Sequence, residues 1–111
     1  MGKMQRNRND VISEIKTARD EARVKAHAYM SLTVKKYDYW RAMSAVIAYD
    51  DVLALYAQNR EIEIQALATK ADREFENARD GDVTEMTLAM TDGRRDALAS
   101  VADLMNTKDN S

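Results

Sequence analysis

Hydrophobic positions along this chain recur in alternating steps of four and three, the spacing of one face of a helix and of a coiled-coil seam. The first stripe reads Val11, Ile15, Ala18, Ala22, Lys25, Tyr29, Leu32, with Lys25 as its one polar intruder. The second reads Met43, Ile47, Asp50, Ala54, Ala57, Glu61, Ile64, Ala68, Ala71, Phe75, Ala78. Val46, Leu53 and Leu67 widen it, and Asp50 and Glu61 interrupt it. The third reads Val83, Met86, Met90, Gly93, Ala97, Val101, Leu104. Proline is absent and glycine occurs only at 2, 81 and 93, so residues 3–80 contain neither of the usual helix breakers. The fold class is therefore all-α.

The stripes and their flanking residues predict helices over about 10–36, 38–79 and 82–106, within a single helical domain spanning 1–111 and ending in a polar tail, 106–111. Asn9 or Asp10 supplies the first N-cap, with Glu14 favourable near that terminus. The second helix ends near Arg79, with Gly81 in a left-handed cap conformation. Asp82-Val83-Thr84-Glu85 resembles a capping box that opens the third. Gly93 falls on the third seam and is expected to admit a neighbouring backbone within a continuous helix. The alternative is a break there, with Thr91 and Asp92 capping a fresh helix.

The seams can be folded against one another. An apex between Tyr37 and Asp38 sets Val11 opposite Ile64, Ala22 opposite Leu53 and Leu32 opposite Met43, and puts the two intruders, Lys25 and Asp50, in one layer. An apex at Asp80-Gly81 sets Met86 opposite Phe75, Gly93 opposite Ala68 and Ala97 opposite Ile64. The result is an elongated antiparallel hairpin, or three-helix assembly, with Ala/Met-rich seams. Its second helix is the spine, and its three helices overlap only around residues 57–64. A continuous rod from about 10 to 79 is the rival, because Lys36 and Tyr39 carry the first seam into the second without a phase break.

Composition thins the core. Alanine and methionine supply 24 of the 50 apolar residues. Alanine buries little area at about 25 cal/mol per Å², although it lets helix axes approach, and methionine fills irregular gaps. A monomer built this way is marginal. Self-association is expected, with Val46, Leu53, Ile64, Leu67 and Phe75 as its seam. Residues 1–41 hold 10 basic and 5 acidic side chains and residues 42–92 hold 4 and 11, so a basic first helix lies on an acidic second one.

Little here suggests chemistry. Cysteine is absent, so there is no disulfide, thiolate metal site or Cys nucleophile, and no phosphate loop or Ser/His/Asp constellation is present. Only the lone His27 faintly suggests a phosphotransfer helix, and the Lys-Gly expected after such a histidine is missing. Glu61, Glu63, Asp72, Glu74 and Glu76 read as a solvated face, without the Glu-x-x-His spacing of a bundle metal site. No enzyme activity, cofactor or metal is expected. No apolar run is long enough for a bilayer, and the basic N-terminus lacks a signal core, so a soluble cytoplasmic protein is the default.

The aromatic residues cluster near the first apex. Lys36, Tyr37, Tyr39, Trp40 and Arg41 form a candidate partner-binding tip, because Tyr, Trp and Arg are common interface anchors. The alternative makes Tyr39 core and Trp40 a lid over the hairpin end. The leading functional expectation is a non-catalytic protein–protein interaction module: a structural, adaptor or inhibitor protein, acting as a homo-oligomer or within a larger assembly. Its small size and thin core suit an accessory protein of the phage or plasmid type. The runner-up is a small nucleic-acid-binding regulator using helix 1 and the basic arm with Lys3, Arg6 and Arg8, against which the net charge of −2 argues.

Overall fold

A computed structural model of the chain describes residues 7–32 and 36–106. The basic arm through Arg6 and the tail from residue 107 lie outside the described residues. Four helices account for nearly all of the rest: α1 (Arg8–Met30), α2 (Lys36–Ala57), α3 (Ile64–Asp80) and α4 (Glu85–Asn106), with one 3₁₀ turn (Glu61–Glu63) ahead of α3. No strand occurs among the described residues. The class is all-α, as the breaker-free sequence requires.

α1 folds back on α2, so the hairpin and not the continuous rod is formed. Its apex is not between Tyr37 and Asp38, both of which lie inside α2. α1 ends instead at Ser31, whose hydroxyl donates to the Ala28 carbonyl at 3.2 Å. Moving the apex toward the chain start changes every pairing across the hairpin. Asp50 meets Arg19 at 3.3 Å, not Lys25, and the expected Lys25–Asp50 layer does not exist. The first N-cap is likewise Asn7, two residues early; its Oδ1 accepts from the Asp10 N–H at 2.8 Å.

The predicted helix over 38–79 is two helices. Asn59 stands at φ 58°, a left-handed conformation that asparagine tolerates better than most residues. Around it the Asn59 N–H donates to the Tyr56 carbonyl at 3.1 Å and the Arg60 N–H to the Leu55 carbonyl at 2.8 Å, the two bonds of a Schellman cap. Arg60 then chelates Glu63 at 2.6 and 2.9 Å, bracing the 3₁₀ turn that leads into α3. Arg8 clamps this corner from outside. It donates to the Tyr56 carbonyl, to Asn59 Oδ1 at 2.9 Å and to Glu61 Oε2 at 3.0 Å, and lies 5.4 Å from the Tyr56 ring centroid. A cation at the carbonyl end of α2 is favourable both as a donor and as a charge.

α4 begins later than the capping-box reading placed it. Thr84, not Asp82, is the cap, accepting from the Thr87 N–H at 3.1 Å. Gly81 is extended (φ −104°, ψ −177°), not left-handed. This longer connection shifts the α3–α4 register, so Phe75 lies under Arg95, 4.0 Å from the guanidinium carbon, and Gln65 reaches Asn106 at 3.4 Å. α3 and α4 are antiparallel. Near their starts Tyr37 of α2 meets Asp92 of α4, and near their ends Val52 and Tyr56 share the core with Leu98 and Val101. These two helices therefore run in the same direction.

α4 is continuous through Gly93, which admits a neighbouring backbone. That neighbour is α2 at Arg41, not Ala68. A Cβ on Gly93 would collide with the Arg41 carbonyl oxygen and sit 2.9 Å from its carbonyl carbon. Beside this contact the buried Ser44 hydroxyl donates to the Met90 carbonyl at 2.6 Å, so the close approach leaves no orphaned hydroxyl.

The main core gathers at one end. Val11 and Ile15 from α1, Val52 and Tyr56 from α2, Ile64 and Ala71 from α3, and Leu98 and Val101 from α4 form one cluster around the Asn59 corner. Val46 and Ile64 are buried, and Leu53 and Leu67 pack against the core, so the expected self-association seam is an internal one. Phe75 is likewise covered from within the chain by Arg95 and Arg79. At the opposite end α2 stays against α4 at Arg41 and Gly93, while α1 and α4 touch little. The molecule measures 50 × 30 × 29 Å with a radius of gyration of 15.1 Å, above the ~13 Å expected for a compact chain of this length.

Gly93→Ala tests the α2–α4 contact. At a free helix site this substitution stabilises by about 1 kcal/mol, but here the methyl must displace backbone, at a cost of about 1–3 kcal/mol. Urea unfolding is expected to show net destabilisation; a more stable variant would contradict the close approach.

Candidate functional site

The proposed aromatic tip does not assemble as one surface. Tyr37 and Arg41 turn toward α4, where both reach Asp92 Oδ2: the Tyr37 hydroxyl donates at 2.9 Å and Arg41 Nε at 3.1 Å. Arg95 donates to the other oxygen, Oδ1, at 3.1 Å, and Arg41 also pairs with Asp96. The Asp92 side chain is only 15% exposed and takes three donors, so it is the polar hub of the α2–α4 interface. Burial, followed by the bond to Asp92, raises the Tyr37 phenol above its ordinary pKa. It is a neutral donor at physiological pH.

Tyr39 turns the other way, into an apolar cleft of about 260 Å³ against α1, with Met43, Val46, Ala26 and Met30. Trp40 is half-buried and Lys36 is exposed at the first residue of α2. Two of the five predicted anchors thus brace α4, one faces α1, and the structure does not bring the set together.

A second cleft, about 340 Å³, lies between α1 and α4, which touch each other little although both pack on α2. Small residues make its floor, including Ala42, Ala45, Gly93 and Ala97, and its rim mixes Glu21, Lys25 and Asp96. Tyr49 borders it, and burial pushes its phenol pKa up.

The other sequence candidates disperse. His27 is exposed on α1, and Glu63, Asp72, Glu74 and Glu76 are solvent-facing, whereas Glu61 is half-buried against Arg8. The bond from Arg8 holds the Glu61 carboxyl below its ordinary pKa. Among the described residues no group of three His, Asp or Glu side chains is placed to share a metal. Of the basic residues offered for nucleic acid, Lys3 and Arg6 lie outside the described residues and Arg8 is engaged at the α2–α3 corner.

Some large apolar side chains also remain open to solvent. Eight large hydrophobic side chains are exposed among the described residues, and six of them lie toward the end away from the Asn59 corner: Val24, Met30 and Leu32 on the α1–α2 hairpin, and Val83, Met86 and Met90 on the α3–α4 hairpin. Sequence reasoning placed Met86 and Met90 in a seam; the shifted α4 register leaves them outside it. Comparison with protein-family models, with curated proteins and with solved structures finds no match.

The hub yields a coupling prediction. Tyr37→Phe and Asp92→Ala are each expected to destabilise, Asp92→Ala more, because it removes the acceptor of the Tyr37 phenol and one of the two carboxylates, Asp92 and Asp96, that hold Arg41 and Arg95, at about 1–3 kcal/mol. A double-mutant cycle is expected to give a coupling of about 0.5 kcal/mol or more. Strict additivity would mean that Tyr37 is a free tip residue after all.

Proposed function

We propose that this chain is a non-catalytic helical interaction protein that acts through its surfaces, as an oligomer or as one part of a larger assembly. The supporting observation is the exposure of Val24, Met30, Leu32, Val83, Met86 and Met90 toward one end of the bundle, six of the eight large hydrophobic side chains exposed among the described residues. Single exposed apolar residues are ordinary, but contiguous groups of them mark interaction sites. Structural, adaptor and inhibitor roles all fit this reading, as does an accessory protein of a larger system.

The nucleic-acid alternative draws less support. Arg8 and Arg19, two of the cations on α1, are held in pairs with Glu61 and Asp50, and the exposed end is apolar before it is basic. Among the described residues no helix is long and apolar enough to cross a membrane. The cysteine-free composition suits a reducing cytoplasmic setting.

Sedimentation across the micromolar to submillimolar range tests the proposal. The expected result is a concentration-dependent mass of at least twice the 12.6 kDa of one chain. A single cooperatively folded 12.6 kDa species at every concentration would contradict self-association. Steeply salt-sensitive capture of DNA or RNA by that monomer would favour the alternative.

A further inference from the structure

The two exposed tips are alike in apolar character and opposite in charge. The described residues of the α1–α2 tip, 22–32 and 36–41, hold four Lys or Arg and one Asp. Residues 74–86, the α3–α4 tip, hold five acidic residues and one Arg. Much of this charge is uncommitted. Arg79 is shared between Glu76 at 3.7 Å and Asp80 at 3.3 Å, while Glu74, Asp82 and Glu85 form no ion pair among the described residues. On the other tip Arg41 is committed to Asp92 and Asp96 and Arg23 faces Asp20 at 3.9 Å, but Lys25 and Lys36 form no ion pair among the described residues. Each tip also carries its own apolar group: Val24, Met30 and Leu32 beside the lysines, and Val83, Met86 and Met90 beside the carboxylates.

From this juxtaposition we propose that the tips are two halves of one self-complementary interface, and that their occupant is a second copy of this chain. The inference rests on the association reading above and names its surface. The basic, apolar α1–α2 tip of one copy seats on the acidic, apolar α3–α4 tip of the other. Both tips lie at the same end of the bundle on different hairpins, so two copies meeting end to end about a two-fold axis make the contact twice. Other occupants fit worse. A nucleic acid is attracted to one tip and repelled by the carboxylates of the other. An acidic or a basic partner satisfies one tip and leaves the second exposed. A second copy satisfies both, with apolar burial supplying affinity and opposite charge supplying register and encounter rate.

Charge reversal tests this on the full chain. One variant carries Lys25→Glu and Lys36→Glu; another carries Asp82→Lys and Glu85→Lys; a third carries all four. The substituted positions are exposed, and circular dichroism verifies that helicity is kept. Either two-site variant alone sets like charges tip to tip and is expected to dissociate at concentrations about tenfold or more above the wild type. Mixing the two variants, or combining all four changes in one chain, restores complementarity and is expected to restore association. If the wild type associates and neither two-site variant weakens it, the tips are not the interface, while the association reading stands. If the wild type is monomeric throughout, both are overturned. Weakening in the two-site variants without recovery in the mixture also overturns the pairing of tip with tip.

Discussion

One left-handed residue governs the shape of this molecule. Residues 38–79 are helix-forming throughout, and without a stop they would extend as a single rod. Asn59 supplies the stop by taking a conformation that costs most residues about 1–2 kcal/mol, and the Schellman bonds to Tyr56 and Leu55 satisfy the carbonyls the helix leaves free. Arg8 fixes the corner, reaching across from α1 to Tyr56, Asn59 and Glu61 together. The turn sends α3 back alongside α4, so side chains from all four helices meet around Tyr56 and Ile64. Among the described residues no other site gathers so many elements.

The cost of that convergence appears at the far end. A thin core of small side chains is concentrated near the corner, and little apolar material is left to hold the tips. Two devices keep α2 and α4 together there. Gly93 lets the backbones touch at Arg41, and Asp92 receives Tyr37, Arg41 and Arg95 in one low-exposure carboxylate. Neither device covers the outer faces, so Val24, Met30, Leu32, Val83, Met86 and Met90 face water. A charge-asymmetric, apolar open end follows from where the corner is placed, and the proposed association follows from that end.

Much of this was legible in the chain. The absence of proline and the three-and-four spacing establish an all-α fold. The reversal of charge between the first and second segments fits a hairpin. A glycine on a heptad seam points to a close backbone approach, though not to which helix approaches: Arg41 lies opposite Gly93 in the structure, not Ala68. The corner carries neither glycine nor proline, the residues that ordinarily mark a helix stop. Gln58-Asn59 was the available signal, since asparagine is the usual substitute for glycine in a left-handed cap. The registers failed for a related reason. Any two heptad stripes can be matched at several offsets, and the offset depends on where each apex falls. Ser31 and Thr84 set those points, and both are ordinary residues whose capping role emerges only from geometry. Tyr37 and Arg41 looked like anchors because sequence does not reveal that Asp92 lies across from them.

Amide hydrogen exchange measured at several protein concentrations tests the central claim most directly. In dilute protein, protection is expected to be strongest at the amides of Val52–Tyr56 and Leu98–Val101, to drop at Asn59–Ile62, and to be weak over residues 24–30 and 85–91. Those last two segments are expected to gain protection together as concentration rises. Unbroken protection from residue 50 through 70, or tips as protected as the corner in dilute protein, would contradict a corner-centred core with an open end.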